Sequence, residues 1–478
     1  MFVEDDNIEF FNLNTKYFNK DNYSLNSSFY QNDVELYVMM IKIFEENGIE
    51  IKKISEISYC NYVPNRAKTI FVEKENGFPY LSPKDTFTFP LSAEKYSLEF
   101  PESCQVIDKW LLITCSGTTG RSIISNNLFK NFVISNDMIR LSVSSDYLGY
   151  IYAFINTNMG KNLIKRHEYG STVKHINPEH IELLKIPIFY ELKDEINDLI
   201  IKSHEIRENA QFSMQTSIKN LYDFFNLPII GPKQIKNGID ENYDKNRCFN
   251  VNANQLQCRF DGSFHDPIYT NNMKNLSKKA ESDEFYLCNL EDFVDIYVPP
   301  RFKRNYVDDE NESVPLLQGS HITQIKPQGL KRIYSGMKNI EKYVVKEGMI
   351  LLTGSGTIGN LSLVSKYWDN WTATNHLIRF VPKNESINPG YLLLFLLSDY
   401  AQIQLDHIVY GSNVDEIAES GDLLNKIKIL APYDKNIENK LGDAVIEAYN
   451  NRDKANLIEE TAINKLESKI NETYSKFC

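Results

Sequence analysis

The chain of 478 residues contains itself twice, and no other feature limits its possible folds as much. Ser24-Leu-Asn-Ser-Ser-Phe29-Tyr30 reads like Arg259-Phe-Asp-Gly-Ser-Phe264-His265, an offset of 235 residues. Val63-Pro-Asn-Arg66-Ala-Lys68 matches Val298-Pro-Pro-Arg301-Phe-Lys303, again at 235. Ile113-Thr-Cys-Ser-Gly117-Thr-Thr-Gly120 matches Leu352-Thr-Gly-Ser-Gly356-Thr-Ile-Gly359 at 239, as Ser135-Asn136-Asp-Met-Ile-Arg140-Leu matches Thr374-Asn375-His-Leu-Ile-Arg379-Phe. Gly149-Tyr-Ile-Tyr-Ala-Phe pairs with Gly390-Tyr-Leu-Leu-Leu-Phe, and Tyr169-Gly-Ser171 with Tyr410-Gly-Ser412, both at 241. Collinear blocks whose offset drifts this slowly indicate a duplication with short loop insertions. The two copies cover residues 20–230 and 255–478.

Each copy predicts the same order of elements. A helix opens the first copy at 34–46, with Val34, Val38, Ile41 and Phe44 spaced for one face. The apolar runs 110–114 and 348–353 end in glycine-containing turns, and 122–124 and 361–365 read as the returning strands. Helices follow at 147–165 and 390–406, then short closing strands around 186–188 and 427–432. Each copy ends in a long helical segment. The first has no Pro or Gly over 192–226, and the second has the single Gly442 over 434–476. Ile196, Leu199, Ile206, Ala210, Met214, Ile218, Leu221 and Phe225 form one narrow apolar seam. Leu441, Val445, Ala448, Ala455, Ile458, Ala462, Leu466 and Ile470 form the other. A helix of about 30 residues is roughly 45 Å long. The fold class expected is α+β, with two pseudo-symmetric domains joined by an antiparallel two-helix coiled coil. The expected divisions are an extension at 1–20, a first domain at 21–191, a spacer helix at 192–226, a linker at 227–254, a second domain at 255–432 and a second spacer helix at 433–478.

Composition narrows the class. Hydrophobic residues at 42% and charged residues at 24% suit globular cores rather than a disordered chain. No apolar run approaches the roughly 18 residues a membrane span needs, and Glu4, Asp5 and Asp6 stand where a signal peptide would be basic. A cytoplasmic protein with no membrane partner is expected. The net charge of −12 argues against a sequence-blind coat on nucleic acid and leaves room for local basic faces. The seven cysteines form no CxxC pair, so reduced thiols are expected and no metal site.

Catalytic motifs are missing. Gly354-Ser-Gly356-Thr-Ile-Gly359 is a literal GxGxxG, but Leu361-Ser-Leu-Val364 after it reads as a strand where a dinucleotide site needs a helix N-terminus. The chain has no GxxxxGK[ST] and no HExxH. Val298-Pro-Pro-Arg301 is not the Pro-Pro-Tyr/Phe tetrapeptide of an amino-methylating enzyme, and Asp308 and Asp309 lie in a polar loop-like run. No nucleophile, base and orienting group assemble.

Basic residues instead gather near the matched blocks. Arg66 and Lys68 correspond to Arg301, Lys303 and Arg304 in loops beside proline, and Arg121 follows the first glycine turn where Asn360 follows the second. With Lys84, Lys174, Lys331, Arg332 and Lys338 they make a candidate DNA-binding set, because Arg, Lys and Asn both grip phosphate and read base edges. Arg140 and Arg379, inside apolar strands, are expected to serve structure.

The pattern resembles the specificity subunits of type I restriction–modification systems. The resemblance covers nearly the whole chain and rests on four features. These are the Leu-Thr-Gly-Ser-Gly-Thr-Ile-Gly turn, the later Asn136-Asp137 and Asn375-His376, the Tyr-Gly-Ser blocks, and the two closing helices. His175-Ile-Asn-Pro-Glu-His180-Ile-Glu-Leu-Leu-Lys-Ile-Pro187 is close to the usual end of such a recognition domain, and the second copy departs there. The resemblance implies two target recognition domains reading a bipartite, gapped DNA site. It implies a spacer that docks two adenine-N6 methyltransferase subunits and restriction–translocation subunits. S-adenosylmethionine, ATP and Mg would sit on those partners, this chain binding no cofactor and performing no catalysis. The poorly matching stretches 71–100 and 307–342 are where sequence readout is expected. Other readings stay open on the residues alone: a recognition subunit of another modification-based phage defence, a degenerate nuclease or methyltransferase, and a duplicated protein-binding scaffold.

Overall fold

A computed structural model describes residues 32–64, 69–228, 249–256, 259–260, 262–383, 386–411, 416–417 and 422–477. The chain divides into two compact units. One comprises Met1–Thr86, Ala93–Glu205 and Leu457–Cys478, the other Phe87–Ser92 and Ile206–Asn456. The division falls inside both long helices rather than at their starts.

The first unit is built on a four-stranded antiparallel sheet in the order Ser58–Tyr62, Met138–Val143, Leu111–Thr114, Ser122–Ile124. The second unit repeats it with Val294–Tyr297, Leu377–Pro382, Ile350–Thr353 and Leu361–Leu363. Register repeats along with order. Leu112 and Tyr62 both face Arg140, as Leu351 and Tyr297 face Arg379. Leu-Leu-Ile-Thr and Ile-Leu-Leu-Thr are buried at every position, which explains unbroken apolar runs where a one-sided strand would alternate. The two arginines are buried among these strands. Arg140 donates to the carbonyls of Ile134, Ser135 and Met138 at 2.6–3.0 Å, and Arg379 to those of Tyr343, Ala373 and Leu377 at 2.9–3.1 Å. They close the polar turn at the head of each strand, a structural duty.

Each unit adds a smaller sheet. In the first it runs Phe71–Val72, Lys95–Ser97, Phe78–Leu81, Val133–Ile134, and in the second Lys331–Tyr334, Ser313–Leu317, Thr372–Ala373. A two-stranded antiparallel pair closes each copy, Glu50–Lys53 with Lys185–Ile188 and Phe285–Asn289 with Lys428–Pro432.

The long helices are Tyr190–Phe225, 36 residues, and Lys435–Phe477, 43 residues. At 1.5 Å per residue they are about 54 and 65 Å long. Within the first unit Lys465 pairs with Glu195, and Lys469 with Glu191 at 2.7 Å. Four residues forward on one helix is four back on the other, so these segments run antiparallel. Within the second unit the Arg207 guanidinium donates to Asn456 Oδ1 at 2.8 Å. The end of the second helix belongs to the first unit's core, where Ala462, Leu466 and Ile470 join Ile196, Ile200, Phe44, Tyr150 and Phe189.

Each apolar seam is interrupted at the middle of its own helix. Ile196, Met214, Leu221, Leu441, Val445 and Leu466 are buried, but Leu199, Ile206 and Ile458 are half-buried. Ser203, His204, Arg207 and Gln211 on the first helix, and Arg452, Asp453, Asn456 and Glu459 on the second, hold buried positions there. Several are bonded within their own unit. The Gln211 amide spans Leu91 N–H and the Thr88 carbonyl at 2.8 Å each, Asn456 donates to the Ile325 carbonyl at 2.9 Å, and Tyr152 donates to Glu459 at 2.9 Å.

Candidate nucleic-acid interface

The glycine turns are built alike. Gly117 and Gly120 have φ of 76° and 77°, and Gly356 and Gly359 have 80° and 82°, a left-handed backbone that glycine adopts without strain. In each turn the N–H of the residue after the last glycine, Arg121 or Asn360, donates to the strand threonine hydroxyl, Thr114 or Thr353, at 3.0 Å. The chain then returns as a strand in both copies, so the GxGxxG string has no helix N-terminus to receive a pyrophosphate.

Each turn is pinned to the segment beside the Tyr-Gly-Ser block. Ile176 N–H donates to the Cys115 carbonyl at 3.0 Å and Gly117 N–H to the Lys174 carbonyl at 2.9 Å. In the second copy Ile417 N–H donates to the Gly354 carbonyl at 3.0 Å, and Ser355 bridges to Glu416. Glu416 therefore stands where His175 stands in the first copy, a change from imidazole to carboxylate beside the turn. Tyr169 is exposed and donates to Asn177 Oδ1 at 2.6 Å, while His167 and His180 stack with ring centroids 5.1 Å apart. Burial, with His180 and Arg166 close by, pushes the His167 imidazole down to about 4.

The second unit brings several basic and aromatic side chains to one edge. The run 301–307 lies alongside strand Lys331–Tyr334, with Tyr334 N–H donating to the Asn305 carbonyl and Val307 N–H to the Arg332 carbonyl, both at 3.1 Å. Arg301, Lys303, Tyr306, Lys331, Tyr334 and Lys338 are exposed, and Arg304 is half-buried. Arg332 differs from its neighbour. Its guanidinium donates to Ser313 Oγ at 2.9 Å and to the Ser313 carbonyl at 3.1 Å, which ties it to the adjacent strand. Lys331 instead projects over the Tyr306 ring, 4.6 Å from the centroid.

In the first unit Lys84 is exposed and pairs with Glu94 at 3.1 Å. Arg121 is half-buried, and burial lowers its guanidinium to about 10, still fully charged at neutral pH. Lys174 and Asn360 are half-buried, and Arg66 and Lys68 lie outside the described residues. Sequence reasoning passed over Phe71, Phe78 and Lys95. Phe71 and Phe78 are large exposed aromatic groups, Phe78 stacks on Phe100 at 5.5 Å, and Lys95 lies over Phe71 at 5.2 Å. The signal available for them was the Phe78-Pro79-Tyr80-Leu81 string, which matches Val314-Pro315-Leu316-Leu317 in its proline and final leucine.

Among the described residues no helix is long and apolar enough to cross a membrane. Comparisons with known proteins agree with the duplication. A sequence model of the family described as Type I restriction modification DNA specificity domain matches twice, over residues 46–189 and 282–467. No curated protein sequence matches the chain. Among solved structures, the S subunit of a type I restriction–modification system from M. genitalium is 14% identical, with 90% of this chain and 96% of that chain covered and a TM-score of 0.33. The HsdS subunit from Thermoanaerobacter tengcongensis is 10% identical, covers 89% of this chain and 96% of that one, and has a TM-score of 0.27. With the family's domain matched once in each copy and over more than half of the residues, this chain belongs to the type I restriction–modification DNA specificity family.

Proposed function

We propose that this chain is the DNA-recognition subunit of a type I restriction–modification complex, each copy reading one half of a bipartite, gapped site in double-stranded DNA. The observation that carries the reading is the contrast between frame and surroundings. Both copies share one order and one register in the four-stranded sheet, while the side chains around it differ: half-buried His175 against half-buried Glu416, exposed Phe78 against half-buried Val314. Two heads of one frame with different surroundings suit two different short words. Helices longer than the 34–36 Å of one turn of B-DNA suit an unread gap between the words. The antiparallel helix pairs, completed as a coiled-coil spacer, would dock two adenine-N6 methyltransferase subunits and the restriction subunits. Those partners would carry S-adenosylmethionine, ATP and Mg, and this chain would supply recognition and assembly in the cytoplasm without catalysis.

With a net charge of −12, the chain grips phosphate through local basic edges, and the partners add to that grip. Comparing the methylome of the host with and without the gene tests the reading. Loss of N6-methyladenine from one bipartite motif is the expected result. An unchanged methylome in a host that makes the protein would overturn it.

A further inference from the structure

The two small sheets hide a repeat that the sequence blocks do not show. Phe71 pairs with Ser97 in the first unit, as Tyr306 bridges to Ile333 in the second. Leu98 N–H donates to the Ile70 carbonyl at 2.9 Å, as Tyr334 N–H does to the Asn305 carbonyl at 3.1 Å. Tyr80 faces Lys95, as Leu316 faces Lys331, and both strands continue into a parallel pair with Val133–Ile134 or Thr372–Ala373. By this register Phe71 is equivalent to Tyr306, and Lys95 to Lys331.

The side chains repeat along with the backbone. The Lys95 ammonium lies 5.2 Å from the Phe71 ring centroid and the Lys331 ammonium 4.6 Å from that of Tyr306. The rings are 46% and 45% exposed, so each ammonium is held on an open ring face. Among the described residues neither lysine forms an ion pair, unlike Lys84 with Glu94. Around these pairs the loops diverge freely. A charge kept at one place in two heads that otherwise differ suits a feature that both half-sites share. Bases differ between half-sites, whereas the phosphate backbone is the same in both.

We propose that Lys95 on Phe71 and Lys331 on Tyr306 form a matched pair of sequence-blind clamps, each gripping one backbone phosphate of its own half-site. The inference rests on the DNA reading above. It separates a shared grip from the neighbouring residues that read bases, and it assigns the rings the role of positioning the ammonium.

The test uses the full-length chain in the complex that a tag on it purifies from the host. Binding is measured at 50 and 200 mM salt to a duplex carrying the methylated motif and to one with both half-sites scrambled. At about 0.9 in salt slope per phosphate, each contact accounts for about a 3.5-fold share of the affinity change over that range. Lys95→Gln with Lys331→Gln is expected to shrink that change about twelvefold on both duplexes and leave the preference between them unaltered. Lys95→Arg with Lys331→Arg is expected to restore the salt dependence, because the charge stays. Unchanged salt dependence in the Gln variant overturns the inference, as does a changed preference between duplexes, which would make the lysines base readers. If the unsubstituted complex shows no salt-dependent binding to either duplex, the DNA reading falls with it.

Discussion

Adding one methyl group to Gly149 or Gly390 tests how tightly the recognition frames sit on the long helices. The two glycines are repeat-equivalent and each faces backbone. A Cβ on Gly149 would lie 2.5 Å from the Asn197 carbonyl oxygen and 2.9 Å from Asn197 Cα. On Gly390 it would lie 2.8 Å from the Gly442 carbonyl carbon and 3.0 Å from Ile446 Cγ1, with the carbonyl oxygen nearer still. Close carbon–oxygen contacts settle at about 3.3 Å or more, so the helices must part by roughly 0.8 Å at Gly149 and further at Gly390. Such overpacking costs about 1–3 kcal/mol. Against that, alanine is favoured over glycine inside a helix by about 0.5–1 kcal/mol. Gly149 lies in the interior of Ser145–Asn156 and gains most of that offset, whereas Gly390 directly follows Pro389 in the first turn of its helix and gains less. The net expectation is a loss of about 1 kcal/mol for Gly149→Ala and about 2 kcal/mol or more for Gly390→Ala. Native-state hydrogen exchange read by mass spectrometry is the suitable assay, because it reports each unit separately and does not assume a single transition. Protection should fall about fivefold in the first unit for Gly149→Ala and about thirtyfold in the second for Gly390→Ala. Equal or greater protection in Gly390→Ala would show that helix propensity outweighs the contact and would refute the reasoning.

Two further outcomes follow from buried charge. Burial holds the His167 imidazole down at about 4 in the folded chain, below its ordinary 6.5, so its neutral form is the one that folding favours. The resulting stability is fully present above about 6.5 and is lost as pH falls toward 4, an effect of about 3 kcal/mol. An NMR titration of this imidazole should give a midpoint well below 6, and a midpoint near 6.5 would sink the argument. Arg379→Met should lower the melting temperature, because it strands the carbonyls of Tyr343, Ala373 and Leu377 at a cost of about 3 kcal/mol. Arg140→Met should do the same in the first unit. Replacing a buried charge by an apolar group can also stabilise, so a raised melting temperature in either variant is the contrary result.

The frame was legible in the sequence because its requirements are local. Fully buried strands need unbroken apolar runs, and tight turns with positive φ favour glycine, so Leu111–Thr114 and Gly117 announce themselves. The seam was legible only in part. Ile206 and Ile458 fit the apolar spacing but are half-buried, since the middle of the helices is occupied by polar groups whose partners come from distant loops. Periodicity along a helix cannot show that Gln211 will meet Leu91, or Asn456 the carbonyl of Ile325. The stretch after the opening helix reads as strand-rich, but its individual strands are too short for alternation to place them: Phe71–Val72 has two residues and Lys95–Ser97 three. Charge counting also treats Lys331 and Arg332 alike. A strand sends adjacent side chains to opposite faces, which leaves one over an open ring and the other tied to Ser313.

A duplicated chain carries its own comparison between what is required and what is free. Positions that hold the frame keep their chemistry in both copies: Leu112 and Leu351 in the central strand, Arg140 and Arg379 at its turn, Gly120 and Gly359 beyond it. Other positions drift, as half-buried His175 against Glu416 shows beside a turn with the same positive-φ glycines. Lys95 on Phe71 and Lys331 on Tyr306 break this division. They are exposed, and neither fills a core or closes a turn, yet ring and ammonium recur at the same register. Frame packing does not demand them, and the proposed reading of two different words would not by itself preserve them. The proposed phosphate grip would account for the recurrence, because phosphates repeat alike along both halves of a duplex site.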